Sequence, residues 1–144
     1  STSVEFFNIP SWATQITVML RAVSSSGINN FRVQLGNSSG WIESGYNSIS
    51  QRGEGGPAAD QTNCFIIAVP TESDIFRGQM VITKMSEGSV TTYVETGGFM
   101  RSTSTSSQCH GDFNASNIPT IDRVRVTTSG TSTFSTGRIG VRYA

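Results

Sequence analysis

A chain of 144 residues fits one domain, 1–144, whose core needs no metal or disulfide staple. Ten basic residues cancel ten acidic ones, and 14% of positions are charged against a usual ~25%, which excludes capture of nucleic acid by bulk electrostatics. No run approaches the ~20 apolar residues of a membrane-spanning helix, so no membrane partner is expected, and solubility rests on the Ser and Thr that fill about a quarter of the chain.

Apolar and polar residues alternate along the chain, interrupted by Gly, Ser, Thr and Asn. A period of two puts one set of side chains on each face of a pleated strand. The first strand is expected over 3–8. The second, over 14–23, carries Ile16, Val18, Leu20 and Ala22 as one inward row. Phe31, Val33 and Leu35 give the third over 30–36, and a fourth spans 41–47. The segment Gln51 to Asp60 is rich in glycine and reads as a long exposed loop. The apolar run from Cys64 to Val69 sets a strand over 62–70, and others follow over 78–86, 90–96 and 98–104. The Ser/Thr run from Ser102 to Ser107 fits either an edge strand or a connection. Val124 and Val126 mark a strand over 121–128, and Ile139, Val141 and Tyr143 one over 133–143. Turn chemistry lies between them, as in Gly36-Asn37-Ser38-Ser39-Gly40 and Glu87-Gly88. About ten strands and no helical periodicity predict an all-β, jelly-roll-like antiparallel β-sandwich. Met19, Val81 and Met85 fall on the outer faces of their strands, which points to a subunit contact.

Residues able to carry chemistry are few. A glycosidase needs two carboxyls ~5–9 Å apart. Glu43 and Glu54 flank loops, but no spacing selects any pair, so the acidic residues read as solvated. His110 is the single histidine. With Cys64 and Cys109 it supplies three soft ligands, one short of a closed zinc site, at a spacing that matches no zinc motif. It reads as a polar loop residue. There is no Gly-x-Ser-x-Gly elbow, and Gly53-Glu54-Gly55-Gly56 is followed by no Gly-Lys-Ser/Thr. Two free thiols are the favoured state of Cys64 and Cys109, with one bridge between them as the alternative. The reading is a binding or assembly module rather than an enzyme, with no cofactor.

The binding candidates are arginine and aromatic. Arg123, Arg125, Arg138 and Arg142 alternate with core residues on two C-terminal strands and are expected to point outward. Gathered by neighbouring strands, they suit a carboxylate-bearing glycan or a neighbouring subunit's acidic residues. A solvated sheet face is the alternative. Trp12, Trp41, Tyr46 and Tyr93 can stack on sugar rings where exposed, and Trp41 and Tyr46 flank a glycine-punctuated segment. Packing in a core or interface is their other use.

Three strings carry a resemblance: Ile9-Pro10-Ser11-Trp12-Ala13-Thr14-Gln15-Ile16-Thr17-Val18-Met19-Leu20; Val33-Gln34-Leu35-Gly36 with Glu43-Ser44-Gly45-Tyr46; and Ile121-Asp122-Arg123-Val124-Arg125-Val126, with Phe134, Gly137 and Ile139 beyond. Their order and spacing resemble the β-sandwich domain of phage and prophage tail-fibre and other virion structural proteins. The stretches Thr62 to Val69 and Thr103 to Asp112 match poorly. The resemblance implies a virion structural protein assembled in the bacterial host cytoplasm, a homotrimer in contact with other virion proteins. It further implies a tail-fibre or tail-associated module that binds host-surface glycan or protein; Trp41, Tyr46 and the 51–60 loop are the candidate contacts for that reading. A capsid decoration, or cement, protein is the alternative. The family supplies no catalytic residues.

Overall fold

The computed structural model describes residues 2–53, 59–68, 75–102, 105–118 and 120–144. Among them there is no helix. The strands are β1 (Ser3–Phe6), β2 (Gln15–Ser25), β3 (Phe31–Asn37), β4 (Gly40–Trp41), β5 (Tyr46–Arg52) and β6 (Ala59–Gln61), then β7 (Phe65–Ile67), β8 (Phe76–Glu87), β9 (Val90–Met100), β10 (Ser106–Asn114), β11 (Arg123–Thr128) and β12 (Phe134–Tyr143). They form two antiparallel sheets. The smaller runs β1-β11-β3-β4, with β7 also on β3; the larger runs β12-β2-β8-β9-β10-β5-β6. Hairpins join β3 to β4, β5 to β6 and β8 to β9 to β10, while every other connection changes sheet. The β8–β9 turn uses Gly88 at φ 62°, a conformation that only glycine takes without strain.

The inward rows meet as an alternating sequence requires. Phe31, Val33, Leu35, Val124 and Val126 from the small sheet face Ile16, Val18, Met80, Ile82, Phe99 and Phe113 from the large one, all buried. Each large side chain removed from water this way contributes roughly 1.5–3 kcal/mol. The rings interlock: Phe31 lies 5.2 Å from Phe76, and Tyr46 stacks on Phe113 at 4.6 Å.

Several expectations need correction. The strand expected over 41–47 is two strands in different sheets, because the chain crosses between sheets after Trp41. Ala22 is not part of the inward row. It adopts φ 54°, the pairing of β2 with β8 skips from Leu20 to Val23, and Val23 is buried in its place. A β-bulge of this kind shifts the period by one. Tyr143 is 45% exposed rather than closing the core, while Ile139 and Val141 pack against the core only in part. The loop expected over 51–60 is shorter, since β5 runs through Arg52 and β6 begins at Ala59; residues 54–58 lie outside the described residues. The expected strand 98–104 splits between the end of β9 and the start of β10.

β7 pairs with β3 along one edge only. Its other edge is satisfied from across the core. Ile66 N donates to Ser48 Oγ and Ala68 N to Ser50 Oγ, each at 3.0 Å, while Ser107 Oγ donates to Ala68 O at 3.0 Å. These buried hydroxyls of β5 and β10 replace a missing strand neighbour, so the two sheets are hydrogen-bonded together along one side. Unpaired backbone groups there would otherwise cost about 1–3 kcal/mol each.

Candidate functional site

The outer face of the small sheet brings together three of the six expected binding residues. Arg123, Gly36 and Trp41 lie side by side on β11, β3 and β4, and Glu5, Arg125 and Gln34 form the adjacent row. Gly36 permits the contact: a Cβ there would stand 2.8 Å from Trp41 Cε3. With no side chain in the way, the indole lies down on the sheet and Arg125 covers it, its guanidinium carbon 4.9 Å from the ring centre. Arg123 sits 5.0 Å over the ring of Phe7, and Phe7 lies 6.0 Å from Trp41. The result is an interleaved stack of two cations and two rings. Each such contact contributes on the order of 0.5–2 kcal/mol.

Both guanidinium groups are also held in plane. Arg125 donates from Nε (2.9 Å) and Nη2 (2.7 Å) to Gln34 Oε1, and Nη2 reaches Glu43 Oε1 at 3.1 Å. Gln34 is wholly buried and donates onward to Asn63 O at 2.8 Å. Arg123 Nε donates to Asp122 Oδ1 at 2.8 Å. The cations are thus fixed in orientation and partly neutralised. The outermost groups are Phe7, 49% exposed, and the Glu43 carboxylate, whose side chain is 66% exposed. Such a face offers a flat apolar ring beside pre-oriented guanidinium edges. It can stack on a sugar ring or an aromatic side chain and donate to a carboxylate or a carbonyl.

The other three expected residues are elsewhere. Arg138 and Arg142 lie on β12 in the large sheet, so they cannot join Arg123 and Arg125: the chain changes sheet between β11 and β12. Tyr46 is buried and cannot meet a ligand. β3 is paired by β7 at Phe31 to Val33 and by β4 at Gly36 and Asn37, which leaves Leu35 in a gap. Tyr46 fills it. Its hydroxyl accepts from Leu35 N at 2.8 Å and donates to Ile42 O at 2.9 Å, and burial raises its pKa. Tyr93 is buried too, whereas Trp12 is 66% exposed and meets Tyr143 edge to face at 5.7 Å. Glu43 is tied to Arg125, and Glu54 lies outside the described residues.

His110 is a strand residue, not a loop one. It projects from the outer face of β10 while Cys109 points into the core, so neighbours in sequence face opposite ways and cannot share a metal ion. Among the described residues no group of three His, Cys, Asp or Glu side chains is placed to hold one. No helix among the described residues is long and apolar enough to cross a membrane. Comparison with family models, with curated proteins and with solved structures gives no match.

A polar cluster that the sequence reading missed sits inside the sandwich. Glu95 pairs with Gly111, and Gly97 with Cys109, on the inner face of β9 and β10. Each glycine clears space for the neighbouring side chain: a Cβ on Gly111 would stand 2.9 Å from Glu95 Oε2, and one on Gly97 2.6 Å from Cys109 Sγ. Glu95 is fully buried, and neither carboxyl oxygen has a partner of hydrogen-bonding geometry. Burial raises its pKa from 4.5 to about 7, against a small opposing effect of the Cys109 thiol. Cys64 and Cys109 are free and buried. Burial first, with Glu95 adding to it, pushes both thiols up, Cys64 to about 12. Protonated and enclosed, they are poor nucleophiles. Strict alternation with Tyr93 and Phe99 was the available signal for an inward Glu95.

Proposed function

We propose that this protein is a non-catalytic structural module of a phage particle, a homotrimeric tail-fibre or tail-associated domain that binds host-surface glycan or protein through the outer face of its small sheet. The observation that supports this reading best is the stack of Phe7, Arg123, Trp41 and Arg125. Its guanidinium edges are aimed by Gln34, Glu43 and Asp122 before any ligand arrives. Pre-orientation reduces the entropy lost on binding. The virion setting rests on the resemblance carried by the strings around Ile16, Leu35 and Val124.

A glycan array and a host-cell binding assay test it. Binding is expected to fall at least tenfold in Trp41→Ala and in Arg125→Ala. Uniform silence of the wild type against host surfaces and glycans contradicts receptor binding. The second reading, a capsid decoration protein, is favoured by a different observation. The outer side of the large sheet exposes Ile49, Met85, Val90 and Met100 by 45–56%, which suits packing against other virion subunits. Particles that assemble without the protein but burst at a lower temperature would support that role.

A further inference from the structure

The outer face of the large sheet is polarised along its width. One row of side chains crosses all seven strands in register: Arg142, Thr17, Val81, Thr96, His110, Ile49 and Asp60. Six strand spacings make it roughly 29 Å from the arginine to the aspartate. The charges flanking this row follow the same division. Arg21 and Arg138 stand at the β12–β2 end, with Arg77 of β8 beyond them, and Asp112 joins Asp60 near the β6 end; between these ends the outer face carries, among the described residues, one acidic residue, Glu87, at the β8–β9 turn. None of these charged groups forms an ion pair among the described residues.

The basic end is a cleft. Arg21 and Arg138 are directly opposite each other on β2 and β12, an arrangement that repels and is unfavourable unless an anion relieves it. Between them lies an open space of about 380 Å³ that Ala22 and Gly137 also line. Both of those residues have positive φ, at 54° and 85°, and the register shifts there on both sides of β2. Alternation points both arginines outward, and the bulge beside them adjoins the hollow. At the acidic end, Asp60 and Asp112 line a shallow concavity of about 480 Å³ together with His110 and Asn47.

We propose that copies of this chain associate head to tail, with the Asp60/Asp112 end of one large sheet docked into the Arg21/Arg138 cleft of the next. The occupant is a second copy because the complementary charge is carried on the same face of the same chain. Twist decides the geometry. Neighbouring strands rotate by about 20–25°, so the two ends of a seven-stranded sheet point on the order of 120–150° apart. They cannot meet one flat partner at once, so the contact is heterologous, and the homotrimer reading requires that it close into a ring rather than run on as a filament. This deepens the homotrimer reading above and rests on its oligomeric part, not on any host ligand.

The test is sedimentation velocity with light scattering over a concentration and salt series. Wild type is expected to form a closed oligomer larger than a dimer that weakens as salt rises. Arg21→Glu/Arg138→Glu is expected to weaken it more than tenfold, and adding Asp60→Arg/Asp112→Arg to restore it. All four positions are exposed and the reversal keeps two like charges opposite each other, so the thermal midpoint of the monomer serves as the control for folding. A wild type that stays monomeric overturns both the trimer and this interface. An oligomer indifferent to the reversals, or not rescued by the fourfold exchange, overturns the interface alone.

Discussion

Glu95 and Tyr46 show how a single buried polar group sets a measurable property. The carboxyl of Glu95 is held neutral by burial, with a pKa raised to about 7 from 4.5. In the unfolded chain it ionises near its ordinary value, so between pH 4.5 and 7 the folded state binds the extra proton. The contribution of Glu95 to stability is therefore greatest below about pH 4.5, falls as pH rises through that window, and levels off above it. The expected loss is about 3 kcal/mol at the value of one pKa unit in free energy. Urea denaturation across this range checks it, and Glu95→Gln should flatten the profile and leave the protein more stable at pH 8. Tyr46→Phe removes the acceptor of Leu35 N and should cost about 1–3 kcal/mol in the same assay with the fold unchanged. A loss as small as a surface substitution would mean that water reaches the gap in β3.

At the scale of the element, β7 is the informative case. Three residues long, it owes its place to two serines of β5 and one of β10 as much as to its pairing with β3. Ser50→Ala leaves Ala68 N without an acceptor and should destabilise by about 1–3 kcal/mol. Amide exchange reads the effect locally: Ala68 should lose protection while Val18 and Ile82, in the middle of the large sheet, keep theirs. Equal loss everywhere would mean that β7 has no separate stability. Alternation made β2, β3, β11 and β12 legible in the sequence, because apolar and polar residues take turns along each of them. β7 was legible as an apolar run but not in its short length, since hydroxyls on other strands define its edge. Splitting 41–47 into β4 and β5 depends on a sheet change that no local pattern encodes. The bulge at Ala22 escaped for the same reason, because alanine does not announce positive φ.

On the scale of the whole molecule, the two outer faces hold their charges differently. Of the four arginines that looked alike in sequence, Arg123 and Arg125 are locked onto aromatic rings, whereas Arg138 and Arg142 stand unpaired on the other sheet among the described residues. Sequence spacing identified them as outward-facing. Topology alone assigns them to opposite sides, the one we propose for a ligand and the one we propose for a neighbouring copy. Phe7 and Gln34 were missed in the sequence for a related reason: one lies past the end of β1, and the other reads as a solvent-facing strand residue until Arg125 and Asn63 cover it. We propose that this sandwich sits on the tail of a phage particle, and cryo-electron microscopy of that particle tests the placement most directly. The account predicts a ring of sandwiches on the tail or its fibres, with the Phe7–Trp41 face turned outward. Density on the capsid shell, or copies with that face buried against other subunits, would contradict it.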